Sequence, residues 1–203
     1  MEIYKKGIIF VISAPSGAGK TTLCKRLLKK LPDLKMSVSH TTRPPRDGET
    51  HGVDYYFVDK KTFETMIANK EFVEWAEVYG NLYGTSKKVI NDLMAEECDI
   101  LLDIDTQGAR NIKKLYPESV LIFILPPSLN ELGRRLLGRD KDDEAVKKRL
   151  SKASEEIKQF MFYDYIVIND NIEEAVNDLL CIIYAERLKT SRIKQESIKK
   201  LFK

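Results

Sequence analysis

The segment Ala14-Pro15-Ser16-Gly17-Ala18-Gly19-Lys20-Thr21 sets glycines, a lysine and a hydroxyl in the order that cradles a phosphate. Backbone N–H groups of such a turn converge on an anion, and the positive end of a following helix adds to them. Lys20 then reaches the β- and γ-phosphates, and the Thr21 hydroxyl is offered to Mg²⁺. Ala14 stands where the pattern has its first glycine, so the turn must not demand positive φ there. The bland alternative is a solvated connection between a strand and a helix. The motif implies a bound nucleoside triphosphate and leaves the use of its phosphate open.

Further candidates are cations and carboxylates. A transferring phosphoryl group gathers charge on its oxygens, and planar arginines match that geometry. Arg134, Arg135, Arg139 and Arg149 lie in or beside a charged stretch; Arg135 and Arg139, four residues apart, share one helix face. Composition alone favours surface ion pairs with Asp140, Asp142, Asp143 and Glu144 for this group. Asp103-Ile104-Asp105 closes an apolar strand, and carboxylates at i and i+2 lie on one side of it. At the carboxyl end of a parallel strand they face a ligand crevice, where one can meet Mg²⁺ or its waters. Asp105 can equally cap the next helix.

Arg43, Arg46, Tyr55 and Tyr83 can clamp a second phosphate, since guanidinium forks and phenolic hydroxyls both donate to its oxygens. Their alternative is a set of surface arginines and half-buried tyrosines. Glu74, within Glu71-Phe72-Val73-Glu74-Trp75, offers two acceptors to a ring edge with adjacent N–H donors. Guanine has that edge; the matching edge of adenine has an acceptor. Composition alone favours a solvent-facing strand position for Glu74. His40 and His51 lack ligand spacing and carry no assignment.

The elements that must position these groups read as an α/β protein. Apolar runs at Ile8–Ala14, Ile100–Ile104, Val120–Leu125 and Tyr165–Ile168 hardly alternate, which predicts parallel strands covered on both faces. Helical patterns fall at Thr22–Leu31, Thr106–Leu115, Leu129–Leu137, Asp143–Phe160 and Ile172–Leu188. Together they predict a doubly wound parallel sheet. From Met36 to Tyr83 the pattern turns short and mixed, with Tyr55–Val58 and Phe72–Trp75 as short strands, and predicts an inserted subdomain at the ligand edge. Leu136 to Asp143 reads as an exposed loop between two helices.

The chain has 203 residues, 43% hydrophobic and 32% charged, which suits one folded unit with insertions. A net charge of +3 speaks against a nucleic-acid coat, and the basic tail from Arg187 to Lys203 reads as a solvated helix end. Cys24, Cys98 and Cys181 are far apart and fit reduced thiols of a cytoplasmic protein. No signal peptide and no membrane-length apolar run is expected.

Taken together, these segments resemble guanylate kinase of the bacterial type, a nucleoside monophosphate kinase with a P-loop. The phosphate loop is common to many families. Thr41-Thr42-Arg43-Pro44-Pro45-Arg46 and Asp103-Ile104-Asp105-Thr106-Gln107-Gly108 are much more specific, and the likeness runs from about Ile8 to about Leu188. The resemblance implies one domain over 1–203. Its P-loop NTPase-like core spans about 1–36, 86–128 and 161–203, with a mixed α+β GMP-binding insertion at about 37–85 and a helical lid at about 129–160. It implies Mg·ATP + GMP giving ADP + GDP, with dGMP as a candidate second acceptor. Ala14 through Thr22 and Asn169 would bind ATP. Arg43, Arg46, Tyr55 and Tyr83 would hold the GMP phosphate, supported by Glu49. Ser39, Glu74 and Asp105 would read guanine, with Thr85 where the family often has Ser. Lys20, Arg135, Arg139 and Arg149 would surround the transferring phosphoryl, and Asp103 would lie between the GMP site and the metal. The tail beyond Leu188 is left a packing role or a role in a homo-oligomer. Two competing readings are a scaffold-type relative, which recognises a phosphorylated partner but has no use for Lys20 or Thr21, and a kinase for another nucleoside monophosphate.

Overall fold

The apolar run after Gly7 is a strand buried on both faces, and its alternate residues feed two separate cores. Ile8, Phe10 and Ile12 join Leu23, Leu27, Val176 and Leu179 on one side; Ile9 and Val11 join Ile90, Ala109 and Ile112 on the other. This burial on both faces is why the run is continuously apolar. The computed structural model describes residues 7–78, 80–138 and 143–202. Chain order is β1 (Ile9–Ser13), α1 (Lys20–Lys30), β2 (Leu34–Met36), β3 (His40–Thr41), β4 (Tyr56–Phe57), α2 (Lys60–Ala68), β5 (Phe72–Val78), β6 (Asn81–Ser86), α3 (Lys87–Ala95), β7 (Asp99–Asp103), α4 (Thr106–Leu115), β8 (Val120–Leu125), α5 (Leu129–Leu137), α6 (Asp143–Ile157), a 3₁₀ turn (Phe160–Phe162), β9 (Tyr165–Ile168), α7 (Ile172–Arg187), a second 3₁₀ turn (Thr190–Arg192) and α8 (Gln195–Leu201).

The first sheet has the order β2-β7-β1-β8-β9, and every ladder in it is parallel. With α1 and α7 on one face and α3 and α4 on the other, it is the doubly wound α/β core that the sequence predicts. The strand ends of β1 and β7 open together on the side where parallel sheets bind ligands. A second sheet, β4-β3-β6-β5, is mixed: β3 pairs β4 parallel and β6 antiparallel, and β5 pairs β6 antiparallel. Helix α4 packs against β5 and so ties the two sheets together. Helices α5 and α6 close a third small core of Leu132, Leu136, Val146 and Ala153.

Several elements differ from the sequence reading. Strand β2 was not expected, because three residues at a sheet edge carry no periodicity. Within the stretch read as short and mixed lies α2, whose N-cap Asp59 accepts from the Thr62 N–H and which buries only Phe63. So narrow an apolar face gives a weak helical signal. Strand β6, which begins at the end of that stretch, and helix α3 just beyond it were also missed. The helix expected over Asp143–Phe160 ends at Ile157 and gives way to the 3₁₀ turn. The tail beyond Leu188 adds α8, and Arg192 donates to the Glu118 carbonyl at 3.0 Å.

Candidate active site

The phosphate loop leaves β1 at Ser13 and enters α1 at Lys20. Gly17 and Gly19 sit at φ 93° and 94°, which glycine adopts without strain, while Ala14 is not among the residues of positive φ. Alanine at the first position is therefore compatible with the turn. Pro15 is buried, its carbonyl accepting from the Ala18 N–H at 3.1 Å, and Ser16 is half-buried. No side chain caps α1 and its first turn holds no acid, whereas α2, α4, α5 and α7 are each capped by a side-chain oxygen. An uncapped N-terminus at a glycine-rich turn is a receptive anion site. Thr21 and Thr22 lie exposed at its mouth.

Behind the loop, Asn169 is buried and donates its amide to the Ala18 carbonyl at 2.7 Å. A side chain at Gly19 would collide with that amide. Lys20 reaches across to β7: its Nζ lies 2.5 Å from Asp103 Oδ1 and donates to the Ile104 carbonyl at 3.0 Å. Burial alone would lower the Lys20 pKa, but the adjacent Asp103 carboxylate outweighs it and raises the value. Lys20 is thus held as a cation.

The second sheet supplies the clamp. Arg43 donates to both carboxylate oxygens of Glu49 at 2.9 Å, and Glu49 also accepts from the Arg46 N–H at 2.8 Å. Burial works against the Glu49 charge, yet these donors hold its carboxyl below the usual range. The Arg43 guanidinium stands 5.5 Å from the Tyr55 ring centre and 5.8 Å from that of Phe57. Tyr55 meets Tyr83 edge-on, with ring centres 5.9 Å apart. The Arg46 side chain is exposed. Burial pushes the Tyr55 hydroxyl up to about 12, with Asp103 adding to the rise and Lys20 opposing it.

Glu74 departs most from the composition-based expectation, because it is buried rather than solvent-facing. Phe72, Glu74 and Ala76 point inward from β5, and Trp75 points out. The Thr85 hydroxyl donates to Glu74 Oε1 at 2.5 Å. Burial lifts the Glu74 carboxyl to about 7, with the Thr85 bonds pulling against the rise and Asp105 adding to it. Asp105 caps α4, accepting from the Gly108 N–H at 2.8 Å. Ser39 is half-buried, its carbonyl accepting from the Tyr56 N–H at 2.9 Å.

Arg135 donates to Glu131 Oε1 at 2.8 Å and to the Asn169 carbonyl at 3.2 Å, so it borders the phosphate loop. Among the described residues its anionic partner is Glu131; Asp140 and Asp142 of the acidic stretch lie outside them. Arg134 and Arg135 together hold the Glu131 carboxyl at about 2. Arg149 is half-buried on α6. Arg139 lies outside the described residues. Two contacts went unseen in the sequence. Glu131 precedes Arg135 by four residues, a spacing that could have flagged it. Lys25 of α1 meets Asp54 of the second sheet's loop at 2.8 Å, and no local pattern links residues so far apart.

Among the described residues no group of three or more His, Cys, Asp or Glu can hold a metal by itself. No helix among them is long and apolar enough to cross a membrane.

A parallel sheet whose central strand feeds an uncapped glycine-rich loop, facing an arginine–tyrosine clamp, defines a phosphate-loop kinase. Comparison with known proteins narrows the class. The family model described as guanylate kinase matches residues 6–186. The guanylate kinase of Neisseria gonorrhoeae is 53% identical over 193 residues, covering 95% of this chain and 94% of that protein. That of Clostridioides difficile is 48% identical over 197 residues, covering 97% and 96%. A crystal structure of guanylate kinase from Anaplasma phagocytophilum superposes with a TM-score of 0.83 at 38% identity, covering 99% of this chain and 98% of that one. The chain belongs to the guanylate kinase family. It is an ATP:GMP phosphotransferase, and members of this family generally use Mg·ATP as donor.

Proposed function

We propose that residues 14–22 with Asn169 bind ATP, and that Arg43, Arg46, Tyr55 and Tyr83 present the GMP phosphate to it. The observation that carries this reading is the ion pair of Lys25 on α1 with Asp54, the neighbour of Tyr55, at 2.8 Å, which holds the second sheet's loop beside the phosphate-loop helix. Arg43 and Arg46 fix the acceptor phosphate, whose oxygen attacks the γ-phosphorus in line while the bond to the β-bridging oxygen of ATP breaks. The acceptor is already an anion, so no side chain has to take its proton. Lys20, Arg135, Arg139 and Arg149 stabilise charge on the transferring group, and positioning and electrostatics do most of the catalysis. Closure of the clamp and of α5–α6 excludes water, which would otherwise accept the phosphoryl.

The donor set fits Mg²⁺, which keeps waters and takes few protein oxygens beside substrate phosphates. Thr21 and, through water, Asp103 would hold it, and it would supply positive charge against the triphosphate. Asp103 serves both neighbours, since its Oδ1 is already on Lys20.

Base choice falls to Glu74 with Ser39, Thr85 and Asp105. The ionised Glu74 accepts guanine N1–H and N2–H. dGMP is the candidate second acceptor, since the residues assigned to the base and the phosphate address groups that it shares with GMP. The working division is a core at about 1–36, 86–128 and 161–203, an acceptor-binding insertion at about 37–85 and a lid at about 129–160. A reducing, cytoplasmic setting suits the free thiols of Cys24, Cys98 and Cys181. A coupled ADP-release assay with GMP, dGMP, AMP, UMP and CMP in Mg²⁺ tests this reading. Turnover with the guanine nucleotides alone is expected; equal turnover of GMP and AMP removes Glu74 from its role.

A further inference from the structure

The Glu74 carboxylate leaves β5 and ends against the first turn of α4. On one side its Oε1 takes the Thr85 hydroxyl at 2.5 Å. On the other stands Gly108, buried at the third position of α4. A methyl group at Gly108 would lie 2.8 Å from Glu74 Oε2 and 3.1 Å from its Cδ, too close for either to stay in place. The backbone does not ask for glycine here, since Gly108 is not among the residues of positive φ. Glycine within a helix also loses stability relative to alanine. What the missing side chain provides is room for the carboxylate at the positive end of α4.

We infer that Gly108 is a specificity-positioning residue: its bare Cα forms one wall of the slot that aims Glu74 at the acceptor base. The inference rests on the reading of Glu74 as the acceptor of the guanine donors. The slot has little give. Strand β5 pairs with β6 from Glu74 through Val78, after a register shift between Phe72 and Glu74, and this ladder ties the Glu74 backbone to Thr85. The third of the three nearest atoms to a Gly108 methyl is Ile104 Cδ1 at 3.2 Å, the end of a flexible side chain. An added methyl therefore acts on Glu74, turning the carboxylate away from Thr85 and out of its plane.

The test is a cycle of Gly108→Ala, Glu74→Ala and the double variant, read by GMP and AMP kinetics and by Tm. Misplacing a substrate-positioning group by about 1 Å costs on the order of 10²-fold. Gly108→Ala is expected to lower kcat/KM for GMP by on the order of that factor, to narrow the preference for GMP over AMP, and to leave KM for ATP unchanged. In the Glu74→Ala background the same change raises Tm, because alanine is the better helix former and the obstruction is gone. Folding of the double variant where Gly108→Ala alone fails to fold also supports the pairing. An unchanged GMP-to-AMP ratio in folded Gly108→Ala overturns the inference, as does a lowered Tm in the Glu74→Ala background. Should Glu74→Ala itself leave the ratio unchanged, the reading of Glu74 falls, and the inference with it. The outcomes of the single variants thus tell the two failures apart.

Discussion

Around the phosphate loop the donors are backbone N–H groups and one lysine, set at the end of a strand buried on both faces. Around the clamp they are long side chains on a small mixed sheet whose helix α2 buries a single phenylalanine. The donor half is rigid because its parts are locked from behind. Asn169 pins the Ala18 carbonyl, Asp103 pins Lys20, and both anchors belong to the core sheet or its margin. The acceptor half is held by side chains holding one another: Glu49 grips Arg43 and the Arg46 backbone, and Thr85 grips Glu74. A loop that binds the invariant part of a nucleotide can be made of backbone. On the proposed reading the second half must tell one base from another, which needs side-chain chemistry, and its carboxylate stands where burial opposes the charge.

The sharpest way to break this comparison is Glu74→Gln. A site built for guanine donors rejects a base that lacks them by on the order of 10⁴-fold. Competition kinetics of GMP against AMP should show most of that preference lost, with KM for ATP unchanged; equal loss for both bases would make Glu74 structural. Asn169→Ala strikes the other half. It removes a buried hydrogen bond worth about 1–3 kcal/mol when its partner is left unsatisfied, so KM for ATP should rise roughly tenfold or more and KM for GMP should not. A parallel rise in both would mean that the halves are not separable.

Acidity sharpens the contrast, since the Glu74 carboxyl stands at about 7 in the free protein. If Glu74 reads guanine as proposed, only its ionised form accepts the two donors, so KM for GMP should rise as pH falls below 7, by up to about tenfold per pH unit for a single proton. The GMP phosphate titrates in the same range. The carboxylate's share is therefore the part of the profile that Glu74→Gln removes. Stability runs the other way. The folded state binds the proton more tightly than the unfolded chain does, so this group's contribution to stability grows as pH falls from 7 toward the ordinary glutamate value. Thermal melts across that window should show the opposing trend, and a flat difference between wild type and Glu74→Gln would deny it. Last and smallest is Lys25→Met, which cuts the ion pair from α1 to Asp54. An exposed pair is worth about 0.2–1 kcal/mol. KM for GMP should rise a few-fold at most, with the wild-type value moving toward it in high salt.

Much of this was legible in the chain because it is local. The phosphate loop, the β-branched runs and the helices Thr106–Leu115 and Leu129–Leu137 each declare themselves within a dozen residues. The motifs Thr41–Arg46 and Asp103–Gly108 likewise led from a triphosphate loop to a family, and the family comparisons agree. Strand β2 and helices α2 and α3 were missed for a shared reason: short elements at an edge, or with a narrow buried face, carry little pattern of their own.

Glu74 marks the boundary between the two kinds of information. The sequence by itself determined that a carboxylate would stand in an apolar strand, and strand alternation permits either face. Only the tertiary structure decided that it turns inward with Phe72 and Ala76 while Trp75 turns out, because α4 covers that face of β5 and Gly108 leaves it room. The same holds for Lys20 on Asp103, Asn169 on Ala18 and Lys25 on Asp54. Each joins residues far apart in the chain, and their pairing follows from the order in which the strands assemble rather than from any spacing along them.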